Sequence, residues 1–233
     1  MKNYLIIISI FLVSLSYGQE KTKTNETINP VILENLTQRL VGRIGVAAQE
    51  IGSGVSVTVN GDEAFVMAST YKVAIAVAVL DLVDKGQLKL TDIIDVPPEM
   101  LVAGNNAIAE SYIHPGIKFS IANLLEVMIT ESDNTATDVS LKLAGGPQAV
   151  TKMLRSLGIT EQRVDRYTSE ILRDFYGLPD KATPLVVAES AAKDPSLLLK
   201  MTQPNMEFEK DPRDQSTPKQ CCNCFWLSIA EKF

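Results

Sequence analysis

Ser69-Thr70-Tyr71-Lys72 sets a serine and a lysine three residues apart, so on a helix the hydroxyl and the amine share one face. A lysine whose pKa is lowered by burial can take or relay the proton of such a serine and turn it into a nucleophile. Free backbone N–H groups at the start of the helix would favour the negative charge that develops on attack. The same pattern recurs at Ser190-Ala191-Ala192-Lys193 and at Ser216-Thr217-Pro218-Lys219. Those two read as a solvated helix surface and a polar turn. Only the first opens a strongly apolar segment, Val73 to Leu80, which would keep water away from the lysine.

Ser132-Asp133-Asn134 offers a second hydroxyl, a carboxylate and an amide in succession, and on its own is a respectable helix cap or turn. Other chemistry-bearing residue types are scarce. The single histidine, His114, stands beside Pro-Gly, and nothing around it supports a Ser-His-Asp triad. Cys221, Cys222 and Cys224 are the only cysteines; they lie within four residues, with no histidine near, and lack the fourth ligand and usual spacing of a zinc site. No metal and no cofactor is therefore expected. A formal charge of −6 and the lack of any Lys/Arg cluster argue against a nucleic-acid partner.

The elements that must position these residues follow from patterning. Residues 1–18 carry Lys2, an apolar run from Leu5 to Leu15, and small residues Ser16 and Gly18, which read as a signal peptide cleaved after Gly18. The run is shorter than the ~20 residues of a membrane span, so a periplasmic or secreted protein is expected. The body, 19–219, contains no cysteine and must hold without disulfides. An amphipathic helix is predicted over 24–43, strands over 43–51 and 55–68 joined by Gly52-Ser53-Gly54, and a buried helix over 69–88. Two helices follow over 120–146 with a break at Ser132-Asp133-Asn134, and Gly145-Gly146-Pro147 opens another through Leu157. From Arg166 to Pro218 the pattern is irregular, with one short helical piece near 184–193.

Taken in order, Ser69-x-x-Lys72 after a second strand and Ser132-Asp133-Asn134 at a helix break resemble the class A serine β-lactamases and the related penicillin-binding proteins. Gly145-Gly146-Pro147 matches a Gly-Gly-Pro of that family, "VDRYTSEIL" the start of its Ω-loop and "DPRDQSTP" the end. The resemblance runs from about Leu33 to Lys219. It implies an α/β (α+β) fold, an antiparallel sheet flanked by helices plus an all-helical region, with the active site between them. It also implies β-lactam hydrolysis by a monomer. Ser69 would form the acyl-enzyme and Lys72 would help deprotonate it. Ser132 would pass a proton to the departing ring nitrogen, and Asn134 would bind the substrate's side-chain amide. The backbone N–H of Ser69 would be one oxyanion donor. Arg166 and Asp214 would pair across the neck of the Ω-loop, with Asp180 as a rival for its end.

The chain also departs from the family. A glutamate two residues after the loop arginine and an asparagine four further on usually hold the hydrolytic water. Counting from Arg166 gives Thr168 and Leu172; counting back from Asp214 gives Met201 and Asn205. Neither count yields a carboxylate at the base position. Of Glu170, Glu207 and Glu209, Glu170 is preferred as the substitute, so Glu170→Gln should stall deacylation while Ser69 still acylates. The family's later Lys-Thr/Ser-Gly has no match after Ser132, so its C-terminal strands and helix are expected to be missing. The stretch "KQCCNCFWLSIAEKF" (219–233) is read as out-of-frame: permitted codons with one A restored give Lys-Ala-Met-Leu-Gln-Leu-Leu-Leu-Ala-Ile-Asp-Ser-Gly-Lys-Val, an amphipathic helix. On that reading residues 220–233 are a tail without function. The domain 19–219 is then expected to be incomplete and impaired by an open sheet edge and half an oxyanion hole. The alternatives are a penicillin-binding D,D-peptidase and a non-catalytic periplasmic fragment.

Overall fold

The structure is a computed structural model, and it describes residues 30–40, 42–50, 53–102, 107–112, 114–177, 203 and 205–230. The signal-peptide segment, the helical piece near 184–193, Asp180 and Met201 lie outside the described residues.

Helix α1 (Pro30–Thr37) precedes strands β1 (Val46–Gln49) and β2 (Ser56–Val59), which pair antiparallel in the register Val46↔Val59 to Gln49↔Ser56. Strand β3 (Phe65–Val66) pairs antiparallel with β6 (Gln215–Ser216), and β4 (Ile93–Asp95) with β5 (Lys118–Ser120). Among the described residues the sheet component is thus three short antiparallel pairs rather than one continuous sheet. The mixed helical and antiparallel fold is the one the sequence resemblance implies.

A 3-10 turn at Ala68–Tyr71 leads directly into α2 (Lys72–Asp84), whose Ala74, Ile75, Ala78 and Val79 are buried. Alanine at two of these positions lets neighbouring helices approach closely. The short helix α3 (Ala107–Ser111) is followed by α4 (Ile121–Thr130), which starts where Ser120 accepts the Asn123 N–H as N-cap. Helix α5 (Asn134–Leu143) is capped by Asp133, which accepts from Ala136 N at 2.6 Å and from Ile108 N at 2.8 Å. Helix α6 (Pro147–Ser156) opens after Gly146, whose φ of +87° a side chain would strain, with Pro147 in the first turn. Helix α5 packs against both α2 and α4, and its residues 134–141 are all buried, the polar ones included. It forms the axis of the core.

The described residues after Arg166 hold more regular structure than their irregular pattern predicts. It contains α7 (Thr168–Tyr176) and α8 (Met206–Lys210). Two local devices make α7: the Glu170 carboxylate accepts the Tyr167 N–H at 2.8 Å, and Gly177 ends the helix in the left-handed region at φ +64°. Helix α9 (Pro218–Ala230) contains the three cysteines; Cys224 is buried in the core cluster, and the helix packs against β1 and α2.

Candidate active site

Strand pair β3–β6 and the break between α4 and α5 converge on the N-terminus of α2. Met67 N–H donates to Asp214 O at 3.2 Å, so the chain entering the 3-10 turn is tied to the residue that closes the 166–214 excursion. Ala68 and Ser132 both hold positive φ, +45° and +55°. Non-glycine residues in that region cost about 1–3 kcal/mol each, and such strain concentrates at functional sites. The result is that Ser69, exposed at the mouth, and Ser132 face each other.

Ser132 Oγ donates to Ser69 Oγ at 3.0 Å. Lys72, three residues along the same face from Ser69, is only 3% exposed. Its Nζ donates to Ser132 Oγ at 2.9 Å, to Ser132 O at 2.5 Å and to Asn134 Oδ1 at 3.1 Å. An ammonium has three hydrogens, and these three acceptors take all of them. The amine therefore reaches Ser69 through the Ser132 hydroxyl. Burial lowers the Lys72 pKa from its ordinary value of 10.5 to about 8, opposed by the negative charges of Asp133 and Asp138. The three groups form a hydrogen-bonded chain, amine to hydroxyl to hydroxyl, with the amine partly neutral near pH 7.

Arg166 and Asp214 meet as well. Arg166 Nε lies 2.6 Å from Asp214 Oδ2, both side chains being under 5% exposed. Asp214 also accepts the N–H groups of Asp165 and Arg166, while Arg166 Nη1 reaches Asp174 at 2.8 Å and Asp211 at 3.2 Å. Desolvation pushes the Asp214 carboxyl up, countered by these N–H donors and by Arg166. The pair belongs to a network in which Asp174 and Asp211 were not foreseen from sequence.

A pocket of about 390 Å³ opens beside Ser69, lined by Tyr71, Asn134, Thr168, Leu172, Phe175 and Asp214 among others. Thr168 and Leu172, the residues reached by counting from Arg166, both line it. Glu170 does not appear in that lining: its Oε2 is engaged by the Tyr167 N–H. Asn205 stands outside the pocket as the N-cap of α8, accepting Phe208 N at 3.0 Å. Sequence reading also missed Asp138, which sits buried on α5 one turn after Asn134 and accepts the N–H groups of Thr168 and Ser169 at 2.6 and 3.1 Å. The signal available was an acidic residue four positions after Asn134, on the same helix face. Among the described residues, no group of three or more His, Cys, Asp or Glu could hold a metal ion, and no helix is long and apolar enough to cross a membrane.

Fold and site together define an α/β protein built around a hydrogen-bonded serine–lysine–serine cluster. The chain belongs to the Beta-lactamase enzyme family, whose model matches residues 24–225. The imipenem-hydrolyzing β-lactamase of Enterobacter cloacae is 32% identical over 188 residues, covering 79% of this chain and 62% of that protein. The class A β-lactamase of the last common ancestor of Gram-negative bacteria superposes with a TM-score of 0.60 at 31% identity, covering 82% of this chain and 59% of that one. A β-lactamase from Xanthomonas campestris pv. campestris gives a TM-score of 0.59 at 27% identity, with coverages of 80% and 56%. The chain thus spans about three fifths of the length of these relatives.

Proposed function

We propose that this chain carries the acyl-transfer site of a class A serine β-lactamase acting on small β-lactams in the periplasm, as a monomer without cofactor or metal. The observation that carries this reading is the buried Lys72 amine bonded through Ser132 Oγ to Ser69 Oγ. Neutral Lys72 would draw a proton from Ser132 as Ser132 takes that of Ser69, and the Ser69 oxygen would attack the lactam carbonyl. The Ser69 N–H at the helix start would stabilise the oxyanion. Ser132 would then deliver its proton to the ring nitrogen as the C–N bond breaks. Asn134, buried beside the pocket, would hold the substrate's side-chain amide. Arg166 and Asp214 would fix the wall of that pocket.

The substitute base expected from sequence, Glu170, is tested by Glu170→Gln: a stalled acyl-enzyme includes it in the mechanism, and unchanged turnover removes it. The reading as a whole is tested by mass spectrometry of the full chain after incubation with a penicillin. Transient mass addition on Ser69, lost in Ser69→Ala, with consumption of the penicillin is the expected result. A lasting adduct would instead mean a penicillin-binding protein. Absence of both the adduct and penicillin consumption would refute an active serine site.

A further inference from the structure

Hydrolysis of the acyl-enzyme needs a base near the pocket. Among the described lining residues the carboxylate is Asp214, locked to Arg166 and to backbone N–H groups. Thr168, however, presents a hydroxyl there, at the first residue of α7. Its Oγ1 lies 2.5 Å from Tyr71 Oη, and its own backbone N–H donates to the Asp138 carboxylate at 2.6 Å, which places the residue against that carboxylate. A threonine hydroxyl has one proton to give and two lone pairs to receive. If Thr168 donates to Asp138, Tyr71 must donate to Thr168, and one lone pair remains for a water in the pocket. Burial of Tyr71 holds its phenol protonated, and so a donor.

Resting on the acyl-enzyme reading above, we propose that Asp138, acting through the Thr168 hydroxyl, is the base that activates the hydrolytic water. Thr168 is the catalytic contact and Asp138 a positioning and proton-accepting residue behind it. The water O–H breaks as its proton passes to Thr168 Oγ1, and the proton of Thr168 moves to Asp138. The water oxygen bonds the acyl carbon. The bond from that carbon to Ser69 Oγ then breaks, and Ser69 regains a proton from Ser132, which is resupplied by Lys72. Asp138 afterwards loses its proton to solvent as Lys72 takes one back. Among the described residues, the Asp138 charge acts on Tyr71 on the 3-10 turn, Lys72 on α2 and Tyr167 before α7. Desolvation raises the proton affinity of Asp138, and the N–H groups of Thr168 and Ser169 keep its anion bound.

The test uses the full chain with a chromogenic penicillin and quench-flow mass spectrometry, which separates acylation from deacylation. Thr168→Val and Asp138→Asn should still form the Ser69 adduct but release it about 10²–10⁴-fold more slowly, the usual contribution of a general base. Thr168→Ser, which restores the hydroxyl, should recover release to within about tenfold, a result that packing alone would not give, since serine leaves a methyl-sized gap. Release at the wild-type rate in Thr168→Val or Asp138→Asn overturns the relay and leaves the acyl-enzyme reading intact. No adduct in the wild-type chain removes both. Loss of acylation in all three variants makes these contacts structural and overturns the relay.

Discussion

Lys72 links the energetics of the fold to its chemistry, and the linkage can be read as a pH profile. With its amine held at about 8 rather than 10.5, about 1% is neutral at pH 6, about 10% at pH 7 and half at pH 8. If the neutral amine starts the relay, Ser69 acylation should rise about tenfold per unit from pH 6 to 7 and level off above 8. Between pH 6 and 9 the gain is about 100-fold. The same shift affects stability. The folded pKa is depressed, so between about pH 8 and 10.5 the unfolded chain binds the extra proton and folding gains stability as pH rises. A displacement of about 2.5 units at about 1.36 kcal/mol each is worth about 3 kcal/mol across that window. Single-turnover acylation measured by rapid quench from pH 6 to 9, with urea denaturation of the wild type and Lys72→Met from pH 7 to 10.5, reads both. The difference in unfolding free energy between the two proteins should shift toward the wild type as pH rises. A flat acylation profile, or one that climbs past pH 10, would refute the lysine as the titrating base.

Three further outcomes follow from the same contacts. Ser132→Ala removes the only hydroxyl joining Lys72 to Ser69 in this relay, so acylation should fall about 10²–10⁴-fold in rapid quench, with circular dichroism unchanged. Arg166→Met leaves the buried Asp214 carboxylate without its counter-charge and should cost about 3–5 kcal/mol in urea denaturation. Asp133→Ala deletes the α5 cap and leaves the Ile108 N–H unpaired, for about 2–3 kcal/mol by the same measurement; Asp133→Asn, which can still accept, should lose less.

How much of this could be read from residues alone depended on whether the information was local. Ser69-x-x-Lys72 is local, because helix periodicity fixes which side chains share a face, and the apolar run after Lys72 announces its burial. The helix break at Ser132 is local too, since Asp133 is a recognisable cap. Helix α7 was legible in principle, through Glu170 three residues after Tyr167 and Gly177 at its end, but polar residues hid the periodicity. Asp138 was legible only as an acidic residue one turn after Asn134, not as a buried one. "NTATDVS" has the composition of a solvated helix, and only the packing of α2, α4 and α7 around α5 turns its polar face inward.

That inversion also explains why the site took the shape it did. A helix buried on every side is stabilised by partners for its polar groups, because an unmade buried hydrogen bond costs about 1–3 kcal/mol, and on α5 Ser140 Oγ is buried without one. Asn134 finds Lys72, Thr135 accepts the Val102 N–H, Thr137 donates to Asp133 O, and Asp138 receives the first N–H groups of α7. The last of these gives the N-terminus of α7 an acceptor that its own sequence does not provide. It seats Thr168 against Tyr71, one residue before Lys72. The polar groups of α5 thus bring the N-terminus of α7 against the 3-10 turn that carries Ser69, a turn tied to Asp214 through the Met67 N–H. A chain in which Asp138 became apolar would relieve a desolvated carboxylate, yet it would strand two N–H groups of α7 and release the wall of the pocket beside Ser69.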